Sequence, residues 1–274
     1  MTNPIELNVL KKSVKYATLG LKKMHRRLNR YSISLIKFSL KKYIFCKYSV
    51  HRIKKFKNIH EGQRCFIIGT GPSLNKTNMS LLKDEIVMGV NTLYNGLSKF
   101  GINCKYYCVS DVVVWRNHYR KILDLDTVLF LSGEAGEDYI TKRAYYSNYR
   151  KDRIYLIKRK DDSQYLTSIS KDITQGAYWG GTVIIDVCLQ LAYYMGFKNI
   201  YLLGCDCDYS RMHRFDGAMT DELRGPGVMG EWKGIFKCYE ICKKTFEEDG
   251  RRIVNCTVGG KLEVFERERL EDVA

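Results

Sequence analysis

A short apolar run, Cys65-Phe66-Ile67-Ile68, breaks directly into Gly69-Thr70-Gly71-Pro72-Ser73-Leu74 and then into polar sequence. An apolar segment of this length bounded by glycines suits a parallel strand buried on both faces. Gly69 and Gly71 permit a tight turn and a close approach of the backbone to a ligand, and a helix starting there would aim its N-terminal N–H groups at an anion. Pro72 fits a first helical turn, where no hydrogen bond is lost, and Ser73 adds a hydroxyl donor. The stretch therefore reads as the first strand and phosphate loop of a nucleotide-binding α/β domain, with an ordinary strand-to-helix turn as the plain alternative.

Two familiar versions of such a loop fit poorly. The dinucleotide fingerprint wants glycine where Leu74 stands and an acidic residue at the end of the second strand, whereas Ile86-Val87-Met88-Gly89-Val90 runs into Asn91. No Gly-Lys-Ser/Thr follows the glycines, so the Walker loop is absent.

Beyond the loop, apolar strands and helix-compatible segments alternate. The pattern predicts a helix around Met79–Lys83, a strand at 86–90, a helix near Tyr94–Phe100, a strand at Tyr106–Ser110, a helix at 115–122 and a strand at 127–131. Residues 133–175 are polar and tyrosine-rich and read as an inserted lid or as ordinary surface connection. A helix over 181–195, the strand Asn199–Leu203, and a closing helix, strand and tail from Trp232 to Phe265 complete the chain. The expected fold is α/β: Rossmann-like and doubly wound, with a mostly parallel sheet.

Charge divides the chain. Residues 1–58 hold sixteen Lys or Arg against the single acid Glu6, which is +15 of the total +16, so the body is close to neutral. The basic residues are interleaved with Leu19, Leu21, Leu28, Tyr31, Ile33, Leu35, Ile36, Phe38, Leu40, Tyr43, Ile44 and Phe45. That mixture suggests a basic amphipathic helical extension, residues 1–58, lying in a membrane interface ahead of a catalytic domain at 59–274. Each Lys or Arg near an anionic leaflet contributes on the order of 1 kcal/mol. No run approaches the roughly 20 apolar residues of a spanning helix, and no secretory signal is evident. The expectation is a cytoplasmic protein, peripheral on the inner face of the membrane. A nucleic-acid arm and a basic face packed on the body are the alternatives.

The ten cysteines sit mostly inside apolar segments and form no Cys-x-x-Cys pair. They read as small buried hydrophobes in a reducing compartment, and no metal site is expected.

Ligands of open parallel sheets bind at the carboxyl ends of the strands. Those ends supply Gly69–Ser73, Asn91-Thr92, Ser110-Asp111, Ser132-Gly133 and Cys205-Asp206-Cys207-Asp208-Tyr209. Asn91 and Ser110 suit a base or ribose; Asp111, Asp206 and Asp208 suit a ribose, a metal or a sugar hydroxyl, and each is also a common cap or turn residue. Beyond them, Tyr209-Ser210-Arg211-Met212-His213-Arg214 gathers a base candidate, His213, and cations that could neutralise a departing phosphate.

The Gly69–Leu74 turn, Val90-Asn91 and Gly196-Phe197-Lys198-Asn199-Ile200-Tyr201-Leu202-Leu203-Gly204-Cys205-Asp206 together resemble the bacterial CMP-sialic-acid-dependent sialyltransferases. They are similar also to a wider group that includes sialyltransferase-like proteins of polysaccharide loci, flagellin glycosylation proteins and the 6-hydroxymethylpterin pyrophosphokinase-like domain. The ending Asn255-Cys256-Thr257-Val258-Gly259-Gly260-Lys261-Leu262-Glu263-Val264-Phe265 resembles the wider group more closely, and the resemblance spans roughly 62–268. It implies a glycosyltransferase that moves a sugar, sialic-acid-like in the first instance, from a CMP-linked donor to a surface-glycan or lipid-linked acceptor.

By the same resemblance Gly69, Thr70, Gly71, Pro72, Ser73 and Asn91 hold the nucleotide, with Ser110 as a looser correspondence and Gly181 and Thr182 as a further contact; Asp111 joins them from its strand end. From the residues themselves, Arg211 and Arg214, with Tyr209, suit the leaving phosphate, and His213 suits the catalytic base, oriented by Asp206, Asp208 or Asp216; the resembling family's histidine follows its Gly-x-Asp strand at a longer interval. No cofactor is required in this branch. In the pyrophosphokinase-like branch ATP and Mg²⁺ act on a pterin-like alcohol, and Asp111, Asp206 and Asp208 become the working groups. A membrane-bound nucleotide-binding protein without catalysis is a third reading. The expected partners are a nucleotide-sugar, a glycan or glycolipid acceptor and an anionic membrane surface, with no nucleic acid; homo-oligomerisation is left open.

Overall fold

The computed structural model describes residues 51–141, 152–160, 166, 168–208, 214–217 and 232–274. The proposed membrane helices of the basic extension lie outside these residues. Eight strands form the main sheet: β1 (Arg64–Ile68), β2 (Val87–Val90), β3 (Tyr106–Val109), β4 (Val128–Ser132), β5 (Ile154–Ile157), β8 (Asn199–Leu203), β9 (Arg252–Asn255) and β10 (Glu266–Arg267). A two-stranded ribbon pairs β6 (Arg159–Lys160) with β7 (Ala177–Tyr178).

The order is β10-β9-β8-β1-β2-β3-β4-β5, and every neighbouring pair is parallel. The chain starts in the middle, winds outward through β2 to β5, then returns to lay β8 on the other side of β1. The winding direction therefore reverses between β1 and β8, as in doubly wound nucleotide-binding folds.

Cys65 and Ile67 of β1 join a core with Met88, Tyr106, Cys108 and Phe130, while their alternates Phe66 and Ile68 are buried as well. Both faces of the sheet are covered, which is why its strands read as continuous apolar runs. The same core takes in residues of the segments Ile184–Met195 and Trp232–Glu248, among them Ile185, Leu189, Cys238 and Phe246. It also takes in Ile53 and Phe56, whose ring meets Tyr155 and Phe130 edge-on with centroids 4.8 and 5.2 Å apart. The folded body thus includes the end of the basic stretch that charge alone assigned to the extension.

Three local expectations change. The polar segment 133–175 contributes a helix, Gly133–Thr141, and the edge strand β5, which pairs with β4 from Leu129 opposite Ile154 to Ser132 opposite Ile157. The apolar quartet Ile154-Tyr155-Leu156-Ile157 was the signal for that strand. Second, the glycine loop leads into a 3₁₀ turn of five residues, Pro72–Lys76, so no long helix aims its dipole at the loop. Third, the helix expected at 181–195 opens as a π turn, Ile184–Leu189, before α-helix Gln190–Met195. All nine described cysteines carry free thiols. Among the described residues no helix is long and apolar enough to cross a membrane.

Candidate functional site

The carboxyl edge of the sheet carries two separate constructions. At the β1/β8 reversal, the backbone N–H of Gly69 donates to Leu203 O at 2.8 Å and that of Gly71 to Gly204 O at 2.9 Å. A Cβ at Gly69 would strike Gly204 O, and one at Gly71 would overlap the Asp206 carboxylate. Asp206 accepts from Ser73 N at 3.1 Å and Ser73 Oγ at 2.7 Å. The two glycines are therefore required by protein packed against protein, and Ser73 closes a clasp on Asp206. Burial raises the Asp206 pKa, against the hydrogen bonds from Ser73 that favour its charged form.

The closing segment braces the same clasp. Lys261 N donates to Asp206 O at 2.7 Å, its ammonium pairs with Asp208 at 2.8 Å, and Cys205 N donates to Thr257 Oγ1 at 3.1 Å. Over the other side, Phe215 N donates to Thr70 O at 3.0 Å, and Asn75 Nδ2 donates to Phe215 O at 2.8 Å. Arg214 pairs with Asp216 at 3.3 Å. Tyr209, Arg211 and His213 lie outside the described residues.

Next to this segment Tyr94 Oη lies 2.7 Å from His118 Nδ1. Burial, then the nearby Arg214, lowers the His118 pKa and favours the neutral ring. This is a histidine that strand-end reasoning does not reach, because it sits in the second turn of the helix Val112–Asp124.

The second construction is a cavity of about 470 Å³ over the ends of β2, β3 and β4, within the range of small-molecule sites. Asn91, Ser110, Asp111, Gly181 and Thr182 line it together; Gly69–Ser73, Asp206 and Asp208 do not. Asp111 is also the N-cap of the Val112–Asp124 helix, accepting from Val113 N at 2.7 Å and Val114 N at 3.2 Å. Asn91 holds φ at 49°, and its Oδ1 is buried with no hydrogen-bond partner among the described residues. A buried acceptor left unpaired costs about 1–3 kcal/mol, which a donor on a ligand would offset. Tyr107 pins this residue, its hydroxyl donating to Asn91 O at 2.9 Å.

Asp186, Arg159, Trp179 and Glu134 line the same cavity without having been picked out in the sequence. Asp186 accepts from Gly180 N at 2.6 Å and Ser110 Oγ at 3.2 Å, and burial pushes its pKa up to about 7. Arg159 stacks its guanidinium over Trp179 at 5.0 Å, and its Nε is buried with no partner among the described residues. The wall that carries these groups is held by Gln190. Its Oε1 accepts from Ser170 N and Tyr178 N, and its Nε2 donates to Tyr178 O at 2.8 Å and Ile185 O at 2.9 Å. A π turn leaves such carbonyls misaligned for the usual ladder, and π turns recur at functional sites. The signal for Asp186 was present in the sequence: it is the lone charged residue in the run Val183-Ile184-Ile185-Asp186-Val187-Cys188-Leu189.

A magnesium site would need converging carboxylates. Asp111, Glu134 and Asp186 share the cavity, yet among the described residues no three His, Cys, Asp or Glu side chains come together as a metal-ligand set. Asp206 and Asp208 are engaged elsewhere, with Ser73 and Lys261. The acidic set expected for the pyrophosphokinase-like branch is therefore not assembled by these residues.

Among solved structures, MAf glycosyltransferase from Magnetospirillum magneticum AMB-1 is similar to this chain with a TM-score of 0.50 and 15% identity. The alignment covers 84% of this chain and 39% of that one, so the chain spans about two fifths of its structural neighbour, and the likeness is one of fold. No curated protein matches the sequence. Residues 40–212 match the family described as 6-hydroxymethylpterin diphosphokinase MptE-like. With more than half its length in that match, and with the parallel doubly wound sheet to accompany it, the chain belongs to the 6-hydroxymethylpterin diphosphokinase MptE-like family.

Proposed function

We propose that the protein is a glycosyltransferase that takes a nucleotide-linked sugar into the β2–β4 cavity and passes the sugar to a hydroxyl of a surface-glycan or lipid-linked acceptor. The observation that carries this reading is the cavity lined by Asn91, Ser110, Asp186 and Arg159, in whose wall Asn91 Oδ1 and Arg159 Nε are buried and, among the described residues, without partners. One accepts and the other donates, which suits a ligand presenting both an N–H or O–H and an anionic oxygen, as a nucleotide does. The name of the structural neighbour, a glycosyltransferase, supports the same class. CMP with a sialic-acid-like sugar is the first donor to try, and the basic extension supports an acceptor at an anionic membrane surface.

In this reading Asn91, Ser110 and Arg159 orient the donor, and the sugar is transferred by direct displacement at its anomeric carbon. The test is thermal stabilisation of the full chain by CMP, UDP, GDP and ATP, the last with and without Mg²⁺, since a ligand that binds only the folded state raises the melting temperature. Stabilisation by CMP without metal is the expected result. Stabilisation by ATP with Mg²⁺ alone would instead support pyrophosphoryl transfer, the second reading, which the family's description favours.

A further inference from the structure

A transferase of this kind needs a group to take the acceptor's proton, and the carboxylates at the sheet edge differ in where they are held. Asp206 accepts two hydrogen bonds from Ser73, Asp208 pairs with Lys261, and Asp111 caps a helix through two backbone N–H groups. Asp186 is placed otherwise. It lines the cavity from the π turn Ile184–Leu189, with its backbone fixed between the Gly180-Gly181-Thr182 turn and the Gln190 amide network. Its Oδ1 accepts from Gly180 N at 2.6 Å and its Oδ2 takes a longer 3.2 Å bond from Ser110, and with Gly181 also bonded to the carboxylate about one of its roughly four lone-pair sites is left for a ligand.

We infer that Asp186 is the catalytic base of this cavity, accepting at Oδ2 the proton of the hydroxyl that attacks the donor sugar. The inference rests on the transferase reading above. In the step, the acceptor oxygen's electron pair forms the new bond to the anomeric carbon while its proton passes to Asp186. The bond from the anomeric carbon to the nucleotide phosphate oxygen breaks, and its electron pair leaves on the phosphate. Arg159 from β6, on the same wall, is the cation placed for that anion. Asp186 then returns the proton to water.

Among the described residues, the charged and titratable groups around Asp186 are Arg159 from β6, the thiols of Cys238 and Cys242 from the helix Trp232–Glu248, and Asp111 and Glu134 of the same cavity. Arg159 favours the carboxylate, as do the bonds from Gly180, Ser110 and Gly181. Burial outweighs them and sets the group near 7, where a base balances availability against proton affinity. Ser110 acts here as a positioning residue, because its hydroxyl favours the ionised form and fixes its orientation.

The experiment follows nucleotide release from CMP-sialic acid, UDP-glucose and GDP-mannose by the full chain, with water or added glycan as acceptor, from pH 5 to 9. For the wild type, release rises with pH and levels off above about 7. Asp186→Asn is expected to lower release about 100-fold or more while keeping the melting shift induced by the nucleotide. Ser110→Ala moves the midpoint of the profile to higher pH, and carries the test should Asp186→Asn fail to fold. Release by Asp186→Asn within about twofold of wild type, or a Ser110→Ala midpoint that does not move, overturns the assignment and leaves the transferase reading standing; loss of the pH-dependent limb in Glu134→Gln or His213→Ala with Asp186→Asn unaffected does the same. Wild-type binding of nucleotide with no release from any donor overturns the transferase reading and Asp186 with it.

Discussion

Between β1 and β8, the space beside the two glycines of the loop is taken by protein. Gly69 and Gly71 lie against Gly204 and Asp206, and Ser73 donates to the Asp206 carboxylate. Over β2, β3 and β4, the edge is open. Asn91 Oδ1 and Arg159 Nε have no partner among the described residues, and burial raises the Asp186 pKa to about 7. Both regions are strand ends rich in Gly, Asn, Ser and Asp, and both look alike in sequence. The difference is what meets the side chains across the edge: in the first a neighbouring strand end and the 257–262 segment, in the second a cavity. Polar residues at a strand end become binding groups only where the fold leaves them without partners.

The largest expected effect sharpens the open side of this comparison. Burial raises the Asp186 pKa from 3.8 to about 7. A raised pKa in the folded state means that the stabilising contribution is complete below about pH 4 and is lost as the pH rises through 7, a change on the order of 4 kcal/mol. Urea unfolding of wild type and Asp186→Asn between pH 4 and 8 should show the wild type losing stability relative to the variant as the pH rises. Curves that stay parallel would place Asp186 in a wetter, less strained setting than the cavity wall.

On the closed side, Gly71→Ala would drive a Cβ into the Asp206 carboxylate. The expected cost is about 3 kcal/mol, read as a melting temperature lower by about 6–12 °C for a domain of this size. An alanine tolerated without loss would break the clasp account and return the glycine to a ligand-approach role.

A smaller effect links the two regions to the core. Tyr107→Phe removes a hydroxyl that donates to Asn91 O and accepts from Tyr94 N, each at 2.9 Å. The predicted cost is about 1–2 kcal/mol, with a weaker nucleotide-induced melting shift because Asn91 is no longer pinned. The smallest stability change belongs to Asn91→Gly. Glycine accepts the φ of 49° and removes an acceptor that has no partner, so stability should change by less than about 1 kcal/mol. The nucleotide-induced shift should nonetheless be lost, and its survival would remove Asn91 from the site.

Much of the fold was legible because parallel strands buried on both faces announce themselves as apolar runs: 199–203 and the Gly69–Ser73 turn stand where the sequence put them. β5 was hidden by its surroundings, since four apolar residues in a polar, tyrosine-rich stretch give no helical or alternating period. Of the residues that line the cavity, Asn91, Ser110 and Asp111 were legible from strand ends, and Gly181 and Thr182 through the family resemblance. Their separation from Gly69–Ser73 was not, because it depends on long-range packing of Gly204–Asp206 and Gly260 against the loop. Asp186 was passed over for a related reason: inside an apolar run it looks like an interruption of a helix, and only the π turn and the folded-back Gly180 show that the carboxylate has been built into a wall.

Hydrogen–deuterium exchange of the full chain with and without CMP tests most directly where a nucleotide goes. The account predicts added protection over residues 90–92, 110–113 and 179–186, with Gly69–Ser73 and Gly204–Asp208 unchanged. Protection confined to the β1/β8 loops, with the cavity segments unaltered, would contradict it.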